Sequence, residues 1–318
     1  MNILGAYKKY RKAYKNPISV MWNIFRKEKF ISVVLKDGRE VGLTHFFTVI
    51  YPIFIESFPE KEKSEKFIES ALRIQKPDCE DQNRKFIQLD YNNYHIKLYI
   101  PFKTGNLDLS STVEVFLFEV YKFLRPEGAI IIDIGANIGD SAIYFCLNNA
   151  NRVIALEPFP YSYNFATLNI TANSLVDKIQ LLNAGYGKDS IVNVQEGESS
   201  GLSLLTNYKK GKKIEVYSLK TIFNKYGLDI ANNILLKIDC EGCEYNLLDE
   251  PIEILNKFKK IQIEFHYGYK NLESKLKEAG FSVNLGIVTR SGGQNLALRE
   301  MALANDDMTF GYIYAERN

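Results

Sequence analysis

The stretch AIIIDIGANIGDSAIYFCLNNANRVIALEP, residues 129–158, decides the fold. Its opening run of isoleucines ends in Asp133, and a turn that contains Gly135 and Gly139 follows. Apolar residues then recur at helical spacing, and a second apolar run ends in Glu157. This order predicts a buried strand, a tight turn, a helix and a second buried strand with an acidic residue at its end. Such a unit forms a pocket for a nucleoside.

Each residue of the turn has a predicted role. Gly135 has no side chain and lets the backbone approach a ligand closely, while Asn137 tolerates a left-handed backbone. Gly139 lets the next helix pack close to the strand. The start of that helix offers N–H groups to an anion, and Asp140 is placed to cap it.

The acidic residues and the spacing favour one class of nucleotide. Glu157 can accept hydrogen bonds from two ribose hydroxyls, although it can instead simply cap the following helix. The spacing D-x-G-x-x-x-G differs from the dinucleotide fingerprint G-x-G-x-x-G, and Asp140 discourages a bound pyrophosphate. These features favour S-adenosylmethionine over NAD, so an NAD oxidoreductase is the weaker alternative.

Composition limits the remaining classes. The chain has 318 residues, with 40 basic against 38 acidic, which gives no polyelectrolyte signal for nucleic acid. No signal peptide or membrane span is expected, and the four cysteines are too sparse for a secreted disulfide scaffold, so we expect a cytoplasmic protein. Cys240 and Cys243 form C-x-x-C without the further ligands that zinc needs. Apolar packing is favoured for them over a redox pair.

The chain divides into two regions. Residues 1–110 are predicted to form a small α+β extension with hairpins at Phe30–Leu43 and Phe86–Pro101. In residues 111–318, apolar strands alternate with helices, which predicts a parallel sheet covered on both faces. An additional hairpin is expected from Ile191–Gln195 and Lys213–Leu219. The seven sheet strands are predicted at Ala129–Ile134, Arg152–Glu157, Ile179–Ala184, Ile234–Asp239, Lys260–His266, Phe281–Leu285 and Met308–Glu316.

Polar residues stand at the carboxyl ends of these strands, where open α/β sheets bind ligands. They are Asp133, Glu157, Asn183, Asp239, Glu264 and His266.

Five blocks together resemble the FkbM family of S-adenosylmethionine-dependent methyltransferases. They are IIDIGANIGDSAIYF (131–145), VIALEPFP (153–160), LLNAGYG (181–187), LLKIDCEGCEYNLL (235–248) and IQIEFH (261–266). The resemblance covers residues 115–316 and implies an α/β, Rossmann-like class I methyltransferase fold with a seven-stranded, mostly parallel sheet. It also implies S-adenosylmethionine as methyl donor and a hydroxyl of a glycan or small natural product as acceptor. Cys240 and Cys243 depart from the family pattern, which usually has small apolar residues there.

With the turn residues, the resemblance defines a predicted donor site. It consists of Asp133, Gly135, Ala136, Asn137, Gly139, Asp140, Glu157, Pro158, Asn183, Ala184, Asp239 and Glu241.

The catalytic set is drawn from the fourth and fifth strands. A hydroxyl is a poor nucleophile, so a base should lie near it. Asp239 is the first choice, and Glu264 and His266, which alternate on one strand face, are the second. Glu241 can hold the substrate or the donor amine, and Glu244 is either a catalytic candidate or a partner of the helix dipole. A magnesium ion held by Asp239 with Glu264 or His266 is an open alternative, but no metal ligand is assigned.

Three further expectations concern other parts of the chain. The first 29 residues hold eight basic residues and one acid, interleaved with aromatics. A solvated helix face that packs its aromatics inward is favoured over a peripheral membrane anchor. The Gly- and Ser-rich segments Glu196–Leu202 and Thr289–Asp307 are candidate lids. Methylation of protein or nucleic acid, or a non-catalytic scaffold role, are the functional alternatives.

Overall fold

The computed structural model describes residues 3–74, 79–81, 84–103, 106–107, 109–195, 209–286, 289–290 and 309–317. The chain divides into two compact units, Met1–Gly105 and Asn106–Asn318. The expected division at residue 110 remains a prediction. None of the helices in the described ranges is long and apolar enough to cross a bilayer.

The first unit combines helices with small antiparallel sheets. Both predicted hairpins are confirmed, as β1 with β2 and as β4 with β5, with β3 added to the second. Asn92 and Asn93 adopt left-handed backbone at the second hairpin turn. The helices are α1 (Ile3–Ala13), α2 (Pro17–Phe25), α3 (His45–Ser57) and α4 (Lys61–Ile74). The strands are β1 (Phe30–Val34), β2 (Glu40–Thr44), β3 (Cys79–Asp81), β4 (Arg84–Tyr91), β5 (Tyr94–Tyr99) and β6 (Phe102–Lys103).

The second unit alternates strands and helices, as predicted. Its helices are α5 (Ser110–Phe116), α6 (Asp140–Leu147), α7 (Pro160–Ala172), α8 (Leu219–Tyr226), α9 (Ile252–Leu255) and α10 (Lys270–Glu278), with 3-10 helices at Lys122–Leu124 and Cys243–Asp249. Its first strands are β7 (Asn106–Leu107), β8 (Ile130–Ile134), β9 (Arg152–Leu156), β10 (Ile179–Leu182), β11 (Ala184–Tyr186) and β12 (Ser190–Val194). The remaining strands are β13 (Lys212–Tyr217), β14 (Ile234–Ile238), β15 (Phe258–Phe265), β16 (Ser282–Leu285), β17 (Thr289–Arg290) and β18 (Thr309–Glu316).

The central sheet has the strand order β10-β9-β8-β14-β15-β18-β16. Neighbours from β10 to β15 pair in parallel, whereas β18 is inserted antiparallel between β15 and β16. This is the class I, Rossmann-like methyltransferase topology that the sequence predicts. The strand order reverses between β8 and β14, so ligands are expected at the carboxyl ends of these two strands.

One predicted strand differs in the structure. The expected strand Ile179–Ala184 is two strands, β10 and β11, because Asn183 interrupts it. The Asn183 amide donates to the carbonyl oxygens of Glu157 and Pro158, which ends the pairing with β9. After this break, β11 pairs with β13, and β13 forms the predicted hairpin with β12.

Both faces of the central strands are buried, which explains their unbroken apolar runs. On one face, Ile132 and Leu236 join a core with residues of α8 and α10, including Phe223. The ring of Phe223 meets that of Phe258 edge-on at 5.5 Å between centroids. On the other face, α6 packs against β8 and β9. This packing fixes the strand ends at the edge that carries the polar residues.

Candidate active site

A buried ion pair links the two strands at the point where the strand order reverses. Lys237 of β14 lies directly opposite Asp133 of β8, and both side chains are excluded from solvent. The Lys237 Nζ atom lies 3.1 Å from Asp133 Oδ1 and donates to the carbonyl oxygen of Gly135 at 2.7 Å. The other Asp133 oxygen accepts from Ser141 Oγ at 2.7 Å. Asp133 therefore supports the turn and α6 from below the pocket, and its oxygens face protein groups.

The charge of Lys237 is maintained by its neighbours. Burial alone would lower its pKa, but the carboxylates of Asp133 and Asp239 raise it above the ordinary value. Lys237 lies within the predicted strand Ile234–Asp239, and no role was predicted for it. The available signal was a lysine inside the otherwise apolar run ILLKI.

The Gly-rich turn has the left-handed backbone that its residues predict. Close contacts with neighbouring segments give a second reason why two of its positions are glycine. Asn137 is left-handed, with φ of 47°, and Gly135 and Gly139 have φ of 80° and 83°. A Cβ on Gly135 would lie 1.8 Å from the carbonyl oxygen of Asp239, so the close approach is to the β14 loop. A Cβ on Gly139 would lie 3.2 Å from Ala166 of α7. The neighbouring Ala136 is buried.

Glu157 is buried beneath this turn, whereas the sequence suggested a carboxylate facing the pocket. Its Oε2 accepts from the backbone N–H of Asn137 at 2.9 Å, and its Oε1 accepts from that of Phe159 at 2.9 Å. Because Phe159 immediately precedes α7, the helix-capping alternative is part of its role. Burial raises the pKa of Glu157 to about 8, although these two N–H groups lower it. Each oxygen retains acceptor capacity for one further donor.

The remaining donor-site candidates surround the same turn. Asp140 is buried, accepts from the Ser141 N–H at 3.0 Å and has its pKa raised to about 6 by burial. Pro158 is half-buried and Ala184 is buried. Within the described part of the chain, the Asn183 Oδ1 atom is buried and has no hydrogen-bond partner. An acceptor oriented in this way fits an amino group such as that of adenine.

Asp239 immediately follows β14 and is the exposed end of the buried charge network. Its side chain is 25% exposed, and its Oδ2 lies 3.8 Å from Lys237 Nζ. The same oxygen accepts from the Tyr121 hydroxyl at 2.9 Å. Tyr121 was missed in the sequence, because it lies 118 residues away and in no recognised motif. These two contacts hold the Asp239 carboxylate in one position.

Glu264 and His266 lie beside Asp239, but in protonated forms. Burial and then the charge of Asp239 raise the pKa of Glu264 to about 9, and Glu264 accepts from the Tyr312 hydroxyl at 3.1 Å. Burial would lower the pKa of His266, but Glu244 and Glu241 raise it to about 10. At neutral pH, Glu264 is therefore a neutral acid and His266 an imidazolium.

Both ring nitrogens of His266 face carboxylates. Nδ1 lies 3.1 Å from Glu244 Oε1, and Nε2 lies 3.4 Å from Glu241 Oε2. Burial raises the pKa of Glu241, while His266 lowers it. Glu244 is fully buried in a 3-10 helix and also accepts from the Gly242 N–H at 2.7 Å. It therefore ties the β14 loop to the end of β15.

One ligand atom from each of Asp239, Glu264 and His266 lies within 4.8 Å of the others. This spacing suits a divalent ion, which keeps the magnesium alternative open. However, a metal would have to displace the Glu264 proton and separate His266 from its two carboxylates. The three residues would hold a metal only in their deprotonated forms.

The cysteine prediction is wrong. Cys240 and Cys243 form a disulfide that encloses Glu241 and Gly242, whereas apolar packing was favoured. Both enclosed residues have positive φ, at 56° and 122°. The candidate lid Glu196–Leu202 lies outside the described residues, as does Thr289–Asp307 after its first two residues.

The pKa of Glu264 predicts a pH-dependent stability. The folded chain holds this proton more tightly than the unfolded chain, so the free energy of unfolding falls as pH rises from the ordinary value of 4.5 to about 9. The substitution Glu264→Gln removes the titrating group and therefore this pH dependence of the free energy of unfolding. We expect the variant to match the parent near pH 5 and to exceed its stability by about 1 kcal/mol or more near pH 9, in urea titrations. Glu127→Gln, at an exposed turn, is the control. An equal effect of Glu264→Gln at both pH values would contradict the assignment.

Solved structures similar to this chain include several methyltransferases. One is precorrin-6y C5,15-methyltransferase of Geobacter metallireducens, with 15% identity, 63% of this chain and 87% of that chain covered, and a TM-score of 0.36. Another is TrmK of M. capricolum in complex with S-adenosyl-homocysteine, with 16% identity and a TM-score of 0.35. The match covers 63% of this chain and 68% of that chain. Similarities this low do not bear on the substrate. No curated protein matches the chain.

A family match covers the site itself. Residues 133–283 match the model described as the methyltransferase FkbM domain. The matched range contains the Gly-rich turn, Glu157, Asp239 and the end of β15, which confirms the resemblance stated from the sequence. Residues 133–283 of this chain are therefore similar to the methyltransferase FkbM domain.

Proposed function

We propose that this methyltransferase uses S-adenosylmethionine to methylate a hydroxyl oxygen of a glycan or a small natural product. The observation that carries the proposal is the position of Asp239. Its partly exposed carboxylate lies beside the Gly-rich turn, and burial raises the pKa of the neighbouring Glu264, which has a ligand atom within 4.8 Å, to about 9. One carboxylate is thus available to receive a proton at the edge where the sheet binds ligands.

The donor would be held by the turn and by the end of β9. Glu157 has remaining acceptor positions for ribose hydroxyls, and the Asn183 Oδ1 atom is a buried acceptor for the adenine amino group. Gly135, Asn137 and Gly139 give the turn its left-handed backbone, which would pass around the donor. Further predicted contacts, made by Pro158, Ala184 and Glu241, line the same edge. Asp133, Ala136 and Asp140 are buried and support this arrangement from beneath.

Bound donor supplies an activated methyl group, so the protein has to align the acceptor and exclude water. The acceptor hydroxyl would donate to Asp239 and lose its proton there as its oxygen bonds to the methyl carbon. The donor would supply the methyl group, and its sulfur would keep the electron pair of the carbon–sulfur bond. Glu264, a neutral acid, would donate a hydrogen bond to the acceptor. His266, as an imidazolium, would orient Glu241 at the site. The base role predicted for Glu264 and His266 does not suit these protonation states.

The composition supports a small or carbohydrate acceptor. With 40 basic and 38 acidic residues, the chain lacks the charge excess of a nucleic-acid enzyme. The cytoplasmic location expected from the small number of cysteines remains a prediction, which the Cys240–Cys243 disulfide does not favour. The Asp239, Lys237 and Asp133 network supports catalysis over a non-catalytic scaffold, because a scaffold has no need of a positioned, partly exposed carboxylate.

Glu157 should control donor affinity. We expect Glu157→Gln to weaken binding of S-adenosylmethionine and S-adenosylhomocysteine about tenfold or more, because the amide nitrogen cannot accept a hydrogen bond from a ribose hydroxyl. Isothermal titration calorimetry measures this directly, with NAD as the comparison ligand. Asp177→Asn, at an exposed position between α7 and β10, is the control. Tight binding of NAD alone, or unchanged donor affinity in Glu157→Gln, would refute the donor site.

Asp239 should control turnover more than binding. The variant Asp239→Asn keeps the hydrogen bond from Tyr121 but removes the proton acceptor, so we expect kcat to fall about 100-fold or more. The donor dissociation constant should change less than threefold, or about 0.6 kcal/mol. Transfer of labelled methyl groups to glycan and metabolite extracts supplies the assay. If kcat is retained in Asp239→Asn, the base lies elsewhere.

A further inference from the structure

The first unit presents an apolar stripe that the described protein leaves exposed. On α2, Ile18, Trp22 and Phe25 recur at helical spacing and are exposed to 73%, 60% and 72%. The rings of Trp22 and Phe25 stack with their centroids 6.0 Å apart. Val20, on the other side of the helix, is fully buried. The helix therefore has one face packed on protein and one apolar face directed outward.

The preceding helix packs its aromatic residues in the usual way. Tyr10 and Tyr14 of α1 are buried, and the Tyr14 hydroxyl donates to the carbonyl oxygen of Thr48 at 3.0 Å. The sequence interpretation, in which the aromatics pack inward, thus holds for these two tyrosines. It is wrong for Trp22 and Phe25. Large apolar side chains at regular spacing on an outer face mark an interaction surface.

Positive charge adjoins the stripe. The first 29 residues contain eight basic residues and one acid, a formal charge of +7 from these side chains. Arg26, Lys27 and Lys29 directly follow the end of α2, and all three are exposed. Part of this charge is balanced locally, by Glu56 at Lys12, by Glu28 at Arg26 and by Asp37 near Lys15. Two further exposed basic residues, Lys8 and Arg11, lie on α1.

We propose that α2 lies on an anionic phospholipid surface, with Ile18, Trp22 and Phe25 inserted at the headgroup level. Tryptophan is suited to this depth, because its ring is apolar and its N–H remains near water. Lysine and arginine beside the helix attract acidic headgroups. A second copy of the chain is a poorer occupant, because a two-fold contact would place equal positive patches against each other. This inference does not depend on the proposed methyl transfer.

The chain contains a built-in reporter, because Trp22 is its only tryptophan. Full-length protein is titrated with phosphatidylcholine vesicles that contain roughly 30 mol % phosphatidylserine, and with pure phosphatidylcholine vesicles. We expect a blue shift of Trp22 emission and co-sedimentation with the anionic vesicles. Both should be lost between about 0.05 M and about 0.5 M NaCl, because salt screens the lysine–headgroup attraction.

Two double variants separate the contribution of the apolar side chains to membrane binding from that of the lysines. Ile18→Ser with Phe25→Ser keeps the reporter and should weaken vesicle partitioning about tenfold or more. Lys27→Gln with Lys29→Gln should weaken it about tenfold to thirtyfold on anionic vesicles only. Ile230→Ser, at a position 89% exposed in the second unit, and Lys209→Gln with Lys210→Gln are the matched controls and should leave partitioning unchanged.

Several results would overturn the proposal. They are absence of binding to anionic vesicles at low salt, equal binding to neutral vesicles, and equal loss in the control variants. If the emission of Trp22 shifts to the blue as the protein concentration rises in the absence of lipid, the stripe binds a second copy of the chain instead. The parent protein's salt and lipid dependence decides the question even if a serine variant proves poorly folded.

Discussion

The candidate site depends on the ammonium group of Lys237, which is sealed between the two central strands. This cation contacts the Asp133 carboxylate and the carbonyl oxygens of Gly135 and Ile134. It also lies 3.8 Å from Asp239 Oδ2. Burying one charge without a partner is costly, so Asp133 and Lys237 require each other. Their pairing fixes the ends of β8 and β14 in register. The Gly-rich turn begins at one of these ends and Asp239 stands at the other.

Charges alternate outward from this pair. Asp133 is an anion, Lys237 a cation and Asp239 a partly exposed carboxylate, while Glu264 beside it keeps its proton and His266 carries a positive charge between two glutamates. Such alternation limits repulsion among acidic groups that lie close together at low dielectric constant. It also means that the neighbouring groups differ in charge and in whether they can donate or accept a proton. In the proposed reaction, Asp239 rather than Glu264 accepts the proton, because burial raises the pKa of Glu264.

Much of this could be predicted from the sequence. The apolar runs, the D-x-G-x-x-x-G turn and the strand-end polar residues predicted the sheet, the left-handed Asn137 and the edge that carries Asp239. Contacts between distant segments could not be predicted, as with Tyr121 on Asp239 or Glu244 on His266, because spacing in one segment says nothing about its partners. Burial raises the pKa of Glu157 and of Glu264, and two carboxylates raise that of His266. The strand pattern gave no sign of these shifts. The exposed face of α2 was misjudged because helical periodicity alone does not reveal which stripe meets the core.

The stability of charge variants at residues 133 and 237 tests the central claim most directly. Lys237→Met should reduce the free energy of unfolding by about 3–5 kcal/mol, because it leaves the Asp133 carboxylate buried without its cation. Adding Asp133→Asn should restore a large part of this loss, since the second change removes the stranded charge. Urea titrations of the parent, both single variants and the double variant provide the cycle. The account is contradicted if Lys237→Met lowers the free energy of unfolding no more than an ordinary surface substitution does. It is also contradicted if the losses of stability in the two single variants simply add in the double variant.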